Sequence, residues 1–340
     1  MKKSIYPFLY FLLSFCISNA QIFQQELFNT LQEPDGKTQQ VIEDSSYFYV
    51  GGTFFNNNSK IAPAISKLDT NGVVLWTTQT FDNVYYRYSS YVSFMKKSDD
   101  GYIYAVVSGL YDTKLWKVNS QTGNIVWRVT MNLQSVPSNI YDKYNLIELS
   151  NGQLLFNYII STPNQKRAIY YDKITGAEIN SIKLYHDFRS GAVADGQGFL
   201  YYTGLDTLFK VPETNPNILV WSLAMPNSQF ITHTYLSGTT LYYFGHKQFS
   251  QKGILGAINT ITGNIIWSHQ ISSNWDILFA DMKISNNFLY IAWKHAFVGG
   301  GITEYFVVSK FDKFGNLSWE VSRPMTSAPP NYGTHSMDID

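Results

Sequence analysis

Apolar and polar positions alternate with period two through most of this chain, in short runs that each end in a Gly, Asn or Asp. Such runs predict half-buried strands joined by tight turns. Two kinds of run take turns. One is aromatic-rich: Tyr47-Phe48-Tyr49-Val50-Gly51-Gly52, Gly101-Tyr102-Ile103-Tyr104, Gly152-Gln153-Leu154-Leu155-Phe156, Gly198-Phe199-Leu200-Tyr201-Tyr202, Leu241-Tyr242-Tyr243-Phe244 and Phe288-Leu289-Tyr290-Ile291. The other is a phrase ending in Trp: Lys67-Leu68-Asp69-Thr70-Asn71-Gly72-Val73-Val74-Leu75-Trp76. It returns at Lys117–Trp127, Ala257–Trp267 and Lys310–Trp319. A copy at Tyr171–Ile179 lacks the Trp, and a degenerate copy at Glu213–Trp221 has Asn217 in the Gly position.

Each phrase predicts the end of one strand, a turn, and the start of another. Asp69, Asn119, Asp172, Asn259 and Asp312 suit an Asx-turn, in which the side chain accepts a hydrogen bond from the backbone two residues on. Gly72, Gly123, Gly176, Gly263 and Gly315 supply the positive φ of a short hairpin loop. Asn217 is expected to take the same left-handed conformation in the degenerate copy. Beyond the turn, Val74 shares a face with Trp76, Ile125 with Trp127, Ile265 with Trp267 and Leu317 with Trp319. Two hairpins per period of about 40–50 residues make a four-stranded blade, and the repeat predicts an all-β β-propeller of six four-stranded antiparallel blades.

The phrases closely resemble the repeats of the PQQ-like (quinoprotein dehydrogenase-like) β-propeller family over about residues 38–323. That resemblance implies a Trp that docks against the neighbouring blade. In the family's enzymes it would imply alcohol or sugar oxidation with a quinone, a calcium ion and an Asp base. Alcohol-oxidising members also carry adjacent cysteines and long insertions, which this chain lacks, and no residue here matches the catalytic Asp. The sequence therefore nominates no catalytic, cofactor-binding or metal-binding residue, and the resemblance is to a non-enzymatic branch. The later blades also look like short repeats of large bacterial surface proteins. A resemblance exists as well to a propeller lipoprotein that helps assemble outer-membrane proteins.

The chain of 340 residues is 16% aromatic and 15% charged with a formal net charge of zero. That balance fits a strand-rich domain and argues against a nucleic-acid surface, which needs clustered Lys and Arg. Residues 1–20 read as a secretory signal: Lys2 and Lys3, an apolar stretch from Pro7 to Ile17, then Ser18-Asn19-Ala20. An uncleaved membrane anchor is the alternative. Phe15 before Cys16 lacks the small residue that lipidation needs. Cleavage after Ala20 leaves no cysteine, since Cys16 is the only one, so neither a disulfide nor a thiol nucleophile is available. Residues 21–37 are expected to supply a strand completing or flanking the ring. Residues 324–340 are either a Pro-containing tail or the start of a partial seventh blade, because His335–Asp340 looks like the strand that opens a blade, as Ala192–Asp195 does.

Other chemistry is thin. Asp69-Thr70-Asn71-Gly72 lacks the ligand set of a calcium loop. The six His have no zinc spacing. No G-x-S-x-G elbow occurs, and Gly299-Gly300-Gly301 lacks the Lys and helix of a phosphate loop. Tyr85, Tyr86, Tyr88 and Tyr91 could stack on a sugar or peptide, or pack under a loop. Of two sequons, Asn57 and Asn316, the second sits beside a turn Gly where its side chain could serve the turn. The expectation is an exported protein, periplasmic or at the cell surface, that binds protein or carbohydrate at one propeller face. No cofactor, nucleic-acid partner or integral membrane segment after signal cleavage is expected.

Overall fold

The alternating runs form strands throughout the computed structural model, which describes residues 37–44, 46–55, 61–80, 91–109, 112–131, 145–160, 165–185, 190–204, 206–225, 230–246, 252–272, 276–296 and 304–325. Among them are 24 strands and no helix. They make six four-stranded antiparallel sheets in which sequence neighbours pair in order, the blades of a β-propeller. Blade 1 is β1 (Lys37–Asp44), β2 (Tyr47–Phe55), β3 (Ile61–Asp69) and β4 (Val74–Gln79). Blade 2 is β5 (Tyr91–Lys97), β6 (Tyr102–Ser108), β7 (Thr113–Asn119) and β8 (Ile125–Met131). Blade 3 is β9 (Asn145–Glu148), β10 (Gln153–Ile160), β11 (Gln165–Asp172) and β12 (Glu178–Leu184). Blade 4 is β13 (Ser190–Ala194), β14 (Phe199–Thr203), β15 (Thr207–Pro212) and β16 (Trp221–Ala224). Blade 5 is β17 (Phe230–Ser237), β18 (Thr240–His246), β19 (Lys252–Asn259) and β20 (Ile265–Ser272). Blade 6 is β21 (Asp276–Ser285), β22 (Phe288–Ala296), β23 (Glu304–Asp312) and β24 (Leu317–Met325).

Among the described residues the first strand starts at Lys37 and the last ends at Met325. The expected signal, the expected flanking strand before Lys37 and the segment after Met325 lie outside the described residues. So do Asn57, Tyr85, Tyr86, Tyr88 and Gly299–Gly301. The chain divides into two compact units, residues 1–131 with blades 1 and 2, and residues 132–340 with blades 3 to 6.

Within each unit the apolar core lies between consecutive blades, because a twisted sheet has two faces to cover and each neighbour covers one. In the first unit Tyr49 and Ile65 of blade 1 pack with Val92, Ile103, Ala105 and Trp116 of blade 2. In the second, Leu155 and Tyr170 of blade 3 meet Leu200, Tyr202 and Val211 of blade 4. Tyr201 and Leu208 of blade 4 meet Ile231, Leu241 and Tyr243 of blade 5. Tyr242, Phe244 and Leu255 of blade 5 meet Met282, Leu289, Trp293 and Val307 of blade 6. Each buried Val, Leu, Ile, Phe or Met side chain among these contributes about 1.5–3 kcal/mol. The opening strand of a blade carries much of this contact: β5 lies on β1, β2 and β3, and β21 on β17, β18 and β19.

The turns between third and fourth strands follow the sequence closely. Asp69, Asn119, Asp172, Asn259 and Asp312 each accept, at Oδ1, a bond from the amide two residues on, at 2.8–3.0 Å. The Gly of each phrase has φ between 75° and 84°. Fourth strands alternate as expected, with Val74, Trp76 and Thr78 of β4 half-buried and the residues between them exposed.

Gly123 carries two constraints that separate experimentally. Its φ is +75°, and a Cβ there would stand 2.7 Å from the Trp76 ring, whereas Gly101, at φ +82°, has nothing within 4 Å. Gly101→Ala is expected to lower stability by about 1 kcal/mol through the left-handed backbone alone. Gly123→Ala should lose a further ~1–3 kcal/mol through displacement of Trp76, read as the difference in urea midpoints at constant slope. Equal losses would show that Trp76 does not depend on the missing Cβ.

Candidate functional site

The residues that recur converge on the seams between blades. In blade 1 Tyr49, Lys67 and Trp76 occupy one row across β2, β3 and β4. The same row is Tyr104–Lys117–Trp127 in blade 2, Tyr201–Lys210–Trp221 in blade 4 and Tyr290–Lys310–Trp319 in blade 6. In blade 5 it is Tyr242–Ala257–Trp267. The Tyr and Trp rings lean together over the middle residue, with centroids 6.0–6.3 Å apart. Each lysine then lays its ammonium on a further ring. Lys67 is 3.7 Å from the Tyr47 centroid, Lys117 4.0 Å from Tyr102, Lys210 4.3 Å from Phe199 and Lys310 3.8 Å from Phe288. An aromatic face offsets part of the cost of withdrawing a cation from water. Lys67, Lys117 and Lys210 are indeed buried, and burial holds the Lys67 ammonium below its usual pKa.

The row is a set of donors, and in every seam within a unit it meets the same acceptor. That acceptor is the carbonyl of the residue following the Asx position in the next blade. Tyr49 donates to Ser120 O at 3.4 Å. Lys210 Nζ and Trp221 Nε1 donate to Thr260 O at 3.0 and 3.2 Å. Trp267 Nε1 donates to Lys313 O at 2.9 Å. The acceptor residue is itself anchored to the first hairpin of its own blade: Ser120 donates through its amide and hydroxyl to Gly101 O, and Thr260 does the same to Thr239 O. The turn Gly lies under the indole, so that Gly123 backs Trp76 and Gly263 backs Trp221, while Gly315 lies against Trp267 and His269. Thr78 also donates to Gly123 O.

The seam between blades 3 and 4 reaches the same result with other residues. Blade 3 has Asn180 where the other phrases have Trp, and its row is Leu155–Tyr170–Asn180. Tyr170 now supplies the donor, to Glu213 O at 2.9 Å. Glu213 follows Pro212, which holds the Asx position opposite Phe199. The buried Glu213 carboxylate in turn accepts from the amide and hydroxyl of Ser150, at 3.0 and 2.6 Å. Asn217 does not take the left-handed conformation expected of it: among non-glycine described residues only Asn286 and Asn287 have positive φ. With no indole to accommodate, a residue with a side chain fits. Its amide bridges back to blade 3, donating to Lys183 O at 2.8 Å and accepting from Tyr185 N at 3.0 Å.

Of the chemistry weighed in the sequence, Asp69 is engaged in its Asx-turn, accepting from Asn71 N and Val73 N. Asn316 donates to Asp312 Oδ2 at 2.8 Å, which is turn work. His269 sits by Trp267 and contacts Phe314 O at 3.3 Å. His233 lies on β17, while His186 and His335 fall outside the described residues. Among the described residues no group of three His, Cys, Asp or Glu could hold a metal ion. No helix among them is long and apolar enough to cross a membrane. The side chain of Asn157 is 4% exposed with neither amide atom hydrogen-bonded, one unsatisfied polar group facing the seam side of β10.

No family model matches the chain, and no curated protein matches it. Solved structures do. The quinohemoprotein alcohol dehydrogenase ADHIIG from Pseudomonas putida HK5 aligns over 86% of this chain and 61% of its own length, at 12% identity and a TM-score of 0.51. The Dos1 propeller aligns over 86% of this chain and 72% of its own, at 12% identity and a TM-score of 0.52. The chain therefore spans about three fifths of the length of the P. putida dehydrogenase. At this identity the likeness is one of fold, a β-propeller, in agreement with the six four-stranded sheets.

The Tyr170 donor gives a pH-dependent test. Burial first, and then the charge of Glu213, raise the Tyr170 pKa well above the phenol range. The folded state therefore holds this proton more tightly than the unfolded chain does. Its contribution is complete below the unfolded phenol pKa of about 10 and is lost as pH rises beyond it. Tyr170→Phe should cost about 1–2 kcal/mol at neutral pH, because Glu213 O loses its donor. The variant should also lose less further stability than the parent above about pH 10, measured by denaturant titration across that range. Parallel pH curves for parent and variant would contradict this assignment.

Proposed function

We propose that this protein is an exported β-propeller that binds or scaffolds a protein or carbohydrate partner through the loops at one end of its blades. The observation that carries the reading is the occupation of its recurring residues. The Asx and Gly of the repeats are engaged in turns, and the rows of blades 1, 3, 4 and 5 in seams, so the repeat serves the scaffold and leaves recognition to the connections. Those connections differ from blade to blade, from the short span between Ser272 and Asp276 to the long one between Met131 and Asn145. Variable loops on a rigid frame are where binding residues concentrate. The signal-like first twenty residues support export, and the zero net charge argues for a partner that is not a polyanion.

The test pairs binding with turnover. The purified mature chain, immobilised, is exposed to cell-envelope and extracellular fractions, and a recovered partner is rebound in pure form by titration. Saturable rebinding with no oxidation of alcohols or sugars on adding quinone and calcium is the expected result. Absence of any rebinding partner together with measurable quinone-dependent turnover would replace this reading with a dehydrogenase.

A further inference from the structure

Every blade ends on its fourth strand, and no strand of the same sheet pairs with the outer side of that strand. Such an edge presents a row of backbone donors and acceptors, which charged side chains, Pro or short length normally guard against pairing with another chain. Most of the fourth strands carry a guard. β8 has Arg128, β12 has Glu178 and Lys183, and β24 has Glu320, Arg323 and Pro324. β16 is four residues long. β20 has eight residues and no Asp, Glu, Lys, Arg or Pro. It belongs to blade 5, whose two faces pack on blades 4 and 6 of its own unit. Its Ile266 is 54% exposed, and Ser268, His269 and Gln270 are exposed as well.

The order of residues along β20 says which strand fits beside it. Two copies related by a two-fold axis pair antiparallel, and residues opposite one another then lie on one face. Centred on Ser268, this pairing sets Ile265 opposite Ile271 of the second copy and Trp267 opposite its His269. On the other face Ile266 meets Gln270, and Ser268 faces its own counterpart. Both apolar ends find an apolar partner in this register, and no like charges meet. The same operation suits the other edges less well. Centred on β8 it opposes Arg128 to Arg128, and β24 lacks an amide at Pro324. β4 is uncharged too, but pairing centred on Trp76 or Thr77 sets Leu75 opposite Thr77 or Gln79.

We infer that β20 pairs with β20 of a second copy of this chain, so that two fifth blades form one antiparallel sheet about a two-fold axis at Ser268. The interface is small, so the dimer is reversible and forms as concentration rises. It uses a strand edge rather than the connections between blades, and it stands independently of the partner-binding reading above.

Sedimentation velocity of the unaltered chain over roughly a hundredfold range of concentration tests this. The expected result is a reversible shift from one chain to two. Amide exchange across 265–272 should slow as the dimer forms, while exchange across 74–79 stays unchanged. A chain that remains monomeric throughout overturns the inference, and so does a dimer that leaves exchange across 265–272 unaltered. Two variants test the register. Ile266→Lys with Gln270→Lys sets ammonium groups opposite one another at both ends of the pairing, and should weaken association at least ~tenfold. Ile266→Lys with Gln270→Glu sets opposite charges in the same places and should restore it. Equal association of the two variants overturns the pairing.

Discussion

The carbonyl that follows each Asx position is the point on which the seams depend. A hairpin normally turns such a carbonyl to solvent, and here it is presented sideways to the preceding blade. The Asx side chain makes this feasible by taking up the turn amides, so that the tip is held without using that carbonyl. The Gly removes the Cβ that would keep an indole away. The hydroxyl or amide of the acceptor residue fastens it to its own first hairpin, as Ser120 does at Gly101 and Thr260 at Thr239. A bond of this kind adds about 1 kcal/mol net, but leaving the buried acceptor unmet would cost more, so the seam tolerates little misplacement.

The donors vary while the acceptor does not. Tyr from a second strand, Tyr or Lys from a third and Trp from a fourth all reach the same place. Lysine is an unusual choice for a buried row. It stands between Tyr and Trp in the row, and its ammonium donates across the seam, to Thr260 O from Lys210 and to Gln121 Oε1 from Lys67 at 3.3 Å. Methionine would fill the same volume without crossing the seam with a hydrogen bond. The result is a frame in which apolar area and directional bonds coincide at each seam, which suits a protein whose connections do the recognising.

Much of the fold was legible in the sequence because its determinants are local. The Asx oxygen, the positive-φ Gly and the two-residue alternation before Trp lie within a dozen positions, and each copy repeats the message. What stayed hidden was what passes from one strand or one blade to another. Lys67, Lys117 and Lys310 stand at the head of their phrases, yet nothing in one phrase says that the ammonium will lie on Tyr47, Tyr102 or Phe288 one hairpin earlier. The third phrase lacks Trp, and nothing in it says that Tyr170 supplies the donor from another strand. Asn217 is expected to take the left-handed conformation of the Gly it replaces, but it does not, and its amide bonds to blade 3 instead. The sequence nominated no site residue, and a recurring motif whose members all serve folding gives no lever for locating one.

Asn180 and Asn217 change together, one in each partner of the same seam, and this gives the blades an order. A chain threading its sheets together could mispair a repeat with the wrong successor, since most phrases are nearly interchangeable. Trp267 set against the Pro212–Trp221 loop would strike the side chain of Asn217, and the third blade set against the Gly315 turn would leave a void where an indole belongs. The two departures from the consensus fit each other: where blade 3 has no indole, blade 4 has a side chain that bonds back to Lys183 and Tyr185.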